Sequence, residues 1–152
     1  MSDATNRAVV SAWGQANQDR DHDGMRRLAH PEYIRDWPQT GERMRGIEAA
    51  IAIDEVYPGG TPDSEVTRLT GPEDRWVVDA SLAPRRILGS GDVWFIEVSL
   101  RYASGEIWDL IGIIELFDGL IHRETQYFAP HLEPPGWRAG LTERIPRESD
   151  RP

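Results

Sequence analysis

The chain has 152 residues and a formal net charge of −9, long enough for one domain with a substantial core. It contains no cysteine and no lysine, so all 17 basic residues are arginines, which excludes disulfides, thiolate nucleophiles, Schiff-base chemistry and a P-loop lysine. The acidic balance and scattered arginines argue against a nucleic-acid partner, no apolar run reaches the ~20 residues of a membrane span, and the first residues lack the basic-then-apolar pattern of a signal peptide, giving a cytoplasmic expectation.

Ala4 to Gln18 reads as an amphipathic helix, because Val9, Ala12, Trp13 and Ala16 recur at i, i+3, i+4 and i+7. Ser2 or Asp3 can cap it. Asp23 is placed to cap a short second helix, Gly24 to Ala29, which His30-Pro31 stops. Tyr33 to Trp37 reads as a strand and Pro38 to Gly41 as a turn. A third helix runs from Gly46 to Tyr57, with Ile47, Ala50, Ile51 and Asp54 spaced along it, and Pro58-Gly59-Gly60 ends it.

The pattern then changes. Val66 to Thr70, Trp76 to Leu82, Val93 to Tyr102, Ile107 to Phe117 and Leu120 to Phe128 are rich in β-branched and aromatic residues. Gly and Pro pairs punctuate them, and Asp118-Gly119 is a two-residue hairpin signal. Helices followed by antiparallel strands give an α+β domain, with three N-terminal helices packed on one face of a curved, mostly antiparallel sheet. The domain is expected over residues 1–130. Residues 131–152 read as an irregular tail, since five of the eleven prolines lie from Pro130 onward; Trp137 is its candidate anchor.

Polar and aromatic groups are densest from Tyr33 to Gly46, the expected wall of a site. Treating Ser104-Gly105 and Asp118-Gly119 as two-residue turns sets Trp94 opposite Glu115 and Glu115 opposite His122. One sheet face then collects Trp94, Ile96, Val98 and Leu100 with Asp109, Ile111, Ile113 and Glu115, joined by His122, Glu124, Gln126 and Phe128. Its apolar part makes it the core face, so Asp109, Glu124 and Gln126 become polar groups on a buried concave surface. A carboxylate there is either paired or raised in pKa, the state suited to proton transfer near neutral pH. A structural reading stands beside each: Asp36 can start the turn, Asp109 can pair with Arg35, Arg43 or Arg45, and Tyr33, Trp37, Trp76 and Trp94 can be core. The four histidines show no ligand spacing, so no metal is expected. Asp19-Arg20-Asp21-His22-Asp23-Gly24 matches half of a calcium loop, but position twelve is His30 instead of Glu.

Several motifs resemble, in order and spacing, the superfamily that includes ketosteroid isomerase, the SnoaL-type polyketide cyclases and nuclear transport factor 2. They are Val9-Val10 with Trp13, Asp21-His22-Asp23-Gly24-Met25, Asp36-Trp37-Pro38, Arg45-Gly46-Ile47-Glu48-Ala49-Ala50-Ile51, and Leu116-Phe117-Asp118-Gly119-Leu120-Ile121 ending in Gln126-Tyr127-Phe128. The resemblance implies a cone-shaped α+β barrel with an internal pocket, often dimeric, in enzymes and plain binders alike. The chain departs from the isomerase pattern: Trp13 stands where the oxyanion Tyr would be, Trp37 where the base Asp would fall, and Asp109 misses the acid position. An epoxide-hydrolase-like Asp-Arg-Asp set could be assembled from Asp36, an arginine and Asp109.

The expected protein therefore binds a small apolar molecule, with Trp13, Tyr33, Trp37, Trp94, Ile111, Glu124 and Phe128 lining the pocket. Asp36 or Asp109 is the candidate acid or base, and Gln39 or Gln126 orients a carbonyl. Isomerisation, cyclisation, dehydration or hydration, without a cofactor, would follow. The alternative is a non-catalytic binding module or a homodimeric assembly module, with Phe95, Trp108 and Leu110 as its interface.

Overall fold

The computed structural model describes residues 2–56, 63–65, 87–102 and 104–145. Helix α1 spans Asp3–Asp19 and opens with Ser2 Oγ accepting the Thr5 N–H at 3.3 Å. Helix α2, His22–Leu28, is capped by Asp21 rather than Asp23: Asp21 Oδ1 accepts the Gly24 N–H at 2.8 Å. A Cβ at Gly24 would collide with that carboxylate, so the glycine belongs to the cap. The half-match to a calcium loop is thus a helix–turn–helix junction. Helix α3 spans Ile47–Val56.

Strands β1 (Ala29–Trp37), β2 (Glu42–Arg45), β3 (Asp63–Glu65), β4 (Ile87–Ser90), β5 (Val93–Arg101), β6 (Ile107–Phe117) and β7 (Leu120–Pro130) form one sheet in the order β2-β1-β7-β6-β5-β3. The short β4 shares the outer edge of β5. Among the described residues all ladders are antiparallel except β1–β7. Three helices on this open, curved sheet make the expected cone-shaped α+β fold. The expected strands at Val66–Thr70 and Trp76–Leu82 lie outside the described residues.

Asp118 and Gly119 both adopt positive φ, 49° and 75°, the geometry a two-residue hairpin turn requires. The other hairpin differs from expectation. A longer turn joins β5 to β6, closed by Tyr102 N–H to Glu106 O at 2.9 Å and Gly105 N–H to Tyr102 O at 2.8 Å. Val93, not Trp94, therefore faces Glu115. A one-residue slip turns every side chain of a strand over, so Leu110, Gly112 and Ile114 join the concave face, while Asp109, Ile111 and Ile113 do not.

The β6–β7 ladder slips the other way. A bulge between Glu115 and Leu116 pairs Glu115 with Arg123 and Ile114 with Glu124. The two departures cancel across the sheet, and Glu124, Gln126 and Phe128 share a face with Trp94, Ile96 and Val98 as expected. The same bulge removes His122 from that face.

The core lies between α1 and this concave face. Val10, Trp13, Tyr33, Trp94, Ile114 and Ile121 are almost fully buried in it. The expected docking of Trp137 does not occur: the side chain is 73% exposed, with the Arg138 guanidinium 5.1 Å from its ring centroid. The tail segment around it carries one short 3₁₀ turn, Gly136–Arg138, and too few apolar neighbours to bury an indole. No helix among the described residues is long and apolar enough to cross a membrane.

Candidate functional site

A cavity of about 710 Å³ opens between α1, α3 and the concave sheet face, within the range that holds a small organic molecule. Ile53, Ile96, Val98, Leu100, Trp108, Leu110 and Phe128 make its apolar wall. Exposed Gln39, Thr40, Glu42 and Glu106 stand at its open end. Trp13, Arg35 and Glu124 form the buried end, each less than a tenth exposed.

Strand alternation builds the buried end. Tyr33, Arg35 and Trp37 point from one face of β1 toward the core and cavity. Arg35 and Glu124 are partners in the parallel β1–β7 ladder, and Arg35 Nη2 lies 2.8 Å from Glu124 Oε2. Glu124 also accepts from Arg35 Nε at 2.9 Å, from Trp13 Nε1–H at 3.0 Å and from the Tyr33 hydroxyl. Burial alone would raise the Glu124 pKa. The Arg35 charge and the donors from Tyr33, Trp13 and Arg35 outweigh it, and the carboxyl is held below its ordinary range. Burial pushes the Tyr33 hydroxyl well above its ordinary value, so it stays protonated as a donor.

One donor of the pair is poorly aligned. Arg35 Nη2 meets Glu124 only as an ion pair and has no hydrogen-bond partner among the described residues, although it is buried. A buried guanidinium nitrogen in a cavity wall with an ion-pair contact but no well-aligned acceptor is a place where a ligand oxygen could bind.

Asp54, on the cavity-facing side of α3, is a second carboxyl lining the cavity away from exposed Glu42 and Glu106. Burial raises its pKa, and the nearby Arg35 charge offsets this only in part. The cavity therefore holds two carboxyls pushed in opposite directions, Glu124 down and Asp54 up, the pattern that separates a fixed anion from a proton carrier. Higher on the wall, Trp37 Nε1–H donates to Gln126 Oε1 at 2.8 Å, which fixes the orientation of that amide. The Gln39 side chain pairs in both directions with the Phe128 backbone, at 2.8 Å and 2.6 Å, tying the β1–β2 turn to β7.

Of the residues expected to bind a ligand, Trp13, Trp37, Gln39, Glu124, Gln126 and Phe128 line the cavity. Tyr33 and Trp94 do not: both are fully buried behind it, Tyr33 bound to Glu124 and Trp94 donating to Gly91 O at 3.0 Å. Ile111 is corrected by the β5–β6 register, which turns it to the outer face, 44% exposed. The two residues expected as the acid–base pair are placed elsewhere. Asp36 follows Arg35 on the strand and so points to the opposite face. There it accepts from Arg43 at 2.6 and 2.9 Å and from Arg123 at 2.6 Å. The Arg43 hydrogen bonds lead those interactions in lowering its pKa to about 2. Asp109, on the face that the register turned outward, lies 3.3 Å from His131 Nε2. Neither aspartate lines the cavity. Arg35 and Asp54, which were not among the expected site residues, do line it.

A solved structure of an NTF2-like protein of unknown function from Burkholderia xenovorans LB400 matches 96% of this chain and 99% of its own, with 30% identity and a TM-score of 0.74. The chain belongs to the NTF2-like superfamily. A provisionally assigned ketosteroid isomerase from Kribbella flavida DSM 17836 is similar over 99% of this chain and 98% of its own, at 26% identity and a TM-score of 0.76. An LEH-like epoxide hydrolase from M. tuberculosis shares the NTF2-like fold at 19% identity, covering 82% of this chain and 83% of its own with a TM-score of 0.58. No protein-family model matches the chain, and no curated protein matches it in sequence.

Proposed function

We propose that this NTF2-like protein is a cofactor-independent acid–base enzyme acting on a small, largely apolar molecule that carries one reactive oxygen. The observation that carries the proposal is the buried Arg35–Glu124 pair beside Asp54 in the wall of a largely apolar cavity, with an Arg35 Nη2 that makes no well-aligned hydrogen bond among the described residues. Arg35 Nη2 would hold a carbonyl or epoxide oxygen of the substrate and stabilise negative charge developing on it. Asp54, ionised, would remove a proton from carbon beside a carbonyl, or from a water attacking an epoxide, and return it later in the reaction. Glu124 keeps Arg35 fixed and charged and takes no proton itself. Isomerisation and hydration both fit this set, and the isomerase and epoxide hydrolase among the similar structures make these the reaction classes to try first.

The test is a thermal-shift screen of cyclic ketones, enones and epoxides, followed by turnover assays on every compound that binds. Wild type should convert at least one, and Asp54→Asn should bind it but convert it 100-fold or more slowly. Binding without conversion by the wild type would instead favour a non-catalytic binding module. That reading draws on the saturation of Glu124, which leaves Asp54 as the carboxyl for chemistry near the buried end, Glu42 and Glu106 being exposed at the open end.

The proposal includes a homodimer formed through the outer sheet face. Val93, Phe95, Ile111 and Tyr127 are 42–45% exposed there, a row of apolar groups that a second copy would cover. Trp108 and Leu110, expected on this interface, face the cavity instead. Sedimentation should give twice the monomer mass, and Phe95→Asp should reduce it to one; a wild-type monomer at all concentrations contradicts the dimer.

A further inference from the structure

His30, Glu32 and His122 come together at a second place in the molecule, apart from the cavity. His122 is far in sequence from His30 and Glu32, and the three meet because two irregularities coincide. In the β6–β7 ladder, Glu115 pairs with Arg123 and Leu116 with Ile121, so His122 is the extra residue of the bulge. In the β1–β7 ladder, the register shifts between Ala29 and Ile34 while β7 advances only from Ile121 to Arg123. The β1 segment carrying His30 and Glu32 therefore loops out beside His122.

The two imidazoles stand edge to face with centroids 5.1 Å apart, and the Phe117 ring packs against both, at 5.5 and 5.8 Å. Both histidines are partly buried and Glu32 is exposed. Each of the three offers one ligand atom, and these atoms lie within 4.8 Å of one another.

We propose that His30, Glu32 and His122 bind a divalent transition-metal cation of the zinc class. Two imidazoles and one carboxylate are a donor set such cations take, with three protein ligands and a fourth position left to water. Nitrogen and oxygen ligands at ~2.0–2.2 Å around a tetrahedral ion stand about 3.4 Å apart, so atoms within 4.8 Å of one another draw in by no more than about 1.4 Å. Glu32, on the surface, can supply that movement by side-chain rotation. The Phe117 ring provides the apolar cover that strengthens a metal's hold on its ligands.

One bond opposes binding. The Glu32 N–H donates to His30 Nδ1 at 3.1 Å. A cation must displace that donor from Nδ1, or bind Nε2 of the other tautomer. The Glu32 amide loses its acceptor in both cases, a cost that weakens the affinity.

The site differs from the cavity in position and chemistry, so its test is independent of the proposed activity. The full-length, untagged protein is freed of metal with EDTA and titrated with Zn²⁺ by calorimetry, in competition with a chromophoric chelator. One ion per chain should bind with a micromolar constant. His122→Ala and Glu32→Gln should each weaken it tenfold or more, while His131→Ala, at the separate pair with Asp109, should leave it unchanged. Glu32→Gln changes an exposed side chain and should keep the wild-type circular dichroism. Absence of binding by the wild type, or binding unaltered in both site variants, overturns the assignment.

Discussion

Arg35 and Glu124 are neighbours in the parallel β1–β7 ladder, and their charged groups meet 2.8 Å apart with side chains only 7% and 2% exposed. A buried ion pair is weak evidence of stability, because desolvation offsets much of the attraction. Breaking one is costly, since the survivor stays buried and charged. Glu124→Leu should therefore destabilise the fold by ~3–5 kcal/mol, a large part of the stability of an ordinary domain. Arg35→Met with Glu124→Leu should recover most of that loss while abolishing ligand binding. Urea unfolding midpoints and thermal-shift titrations check the two halves; a double variant as unstable as the single one would contradict the ion-pair account.

Asp36 predicts the opposite behaviour. Its hydrogen bonds to Arg43, and then those to Arg123, lower its pKa from 3.8 to about 2. A depressed folded-state pKa contributes stability that is present above the unfolded value and lost as pH falls from about 3.8 toward 2. The arginine partners are 45% and 39% exposed, so solvent screening limits the gain to about 1 kcal/mol. Asp36→Asn should lower the melting temperature by a few degrees at pH 7, and by less near pH 2. It should leave cavity ligand affinity within twofold of wild type.

Asp54 carries a linkage of the other sign. Its folded-state pKa is raised, chiefly by burial, so the stability it contributes is present at low pH and lost as pH rises through that value. Asp54→Asn should therefore raise the melting temperature at neutral pH while removing turnover, a trade of activity for stability. The wild-type kcat/KM should rise with pH through a limb above the usual aspartate range, because the base works ionised. Melting curves from pH 4 to 8 and a pH–rate profile measure both.

Val98 is 5% exposed and faces the cavity in the middle of β5. Val98→Phe adds its bulk into existing space, so the melting temperature should stay within a few degrees. Ligands that fill the cavity should bind at least tenfold more weakly, as titration would show. A collapse in stability would mean the space beside Val98 is narrower than described.

The fold was legible because helix periodicity, the Asp118-Gly119 turn and the order of motifs all pointed to one arrangement. The site was only partly legible. β1 alternation sends Arg35 inward and Asp36 outward, yet the carboxylate drew attention, because arginine is ordinarily a surface residue. Asp54 did leave a signal: it continues the apolar stripe Ile47, Ala50, Ile51 on α3, and a carboxylate on a buried stripe calls for a reason. The Ile111 and Asp109 placements failed on a turn longer than two residues. Glu124, Gln126 and Phe128 reached the cavity face through two slips that cancel. The nearness of His30 to His122 follows from a long-range parallel pairing that no local pattern announces.

In the proposed reaction Asp54 moves a proton on a substrate held by Arg35. That step is tested most directly by incubating a bound ketone in D₂O and following its α-protons by NMR. Wild type should exchange them at a rate far above solvent, and Asp54→Asn should lose at least 100-fold of that rate while keeping affinity within a few fold. Equal exchange by the two proteins, or none by the wild type with any bound ketone, would contradict it.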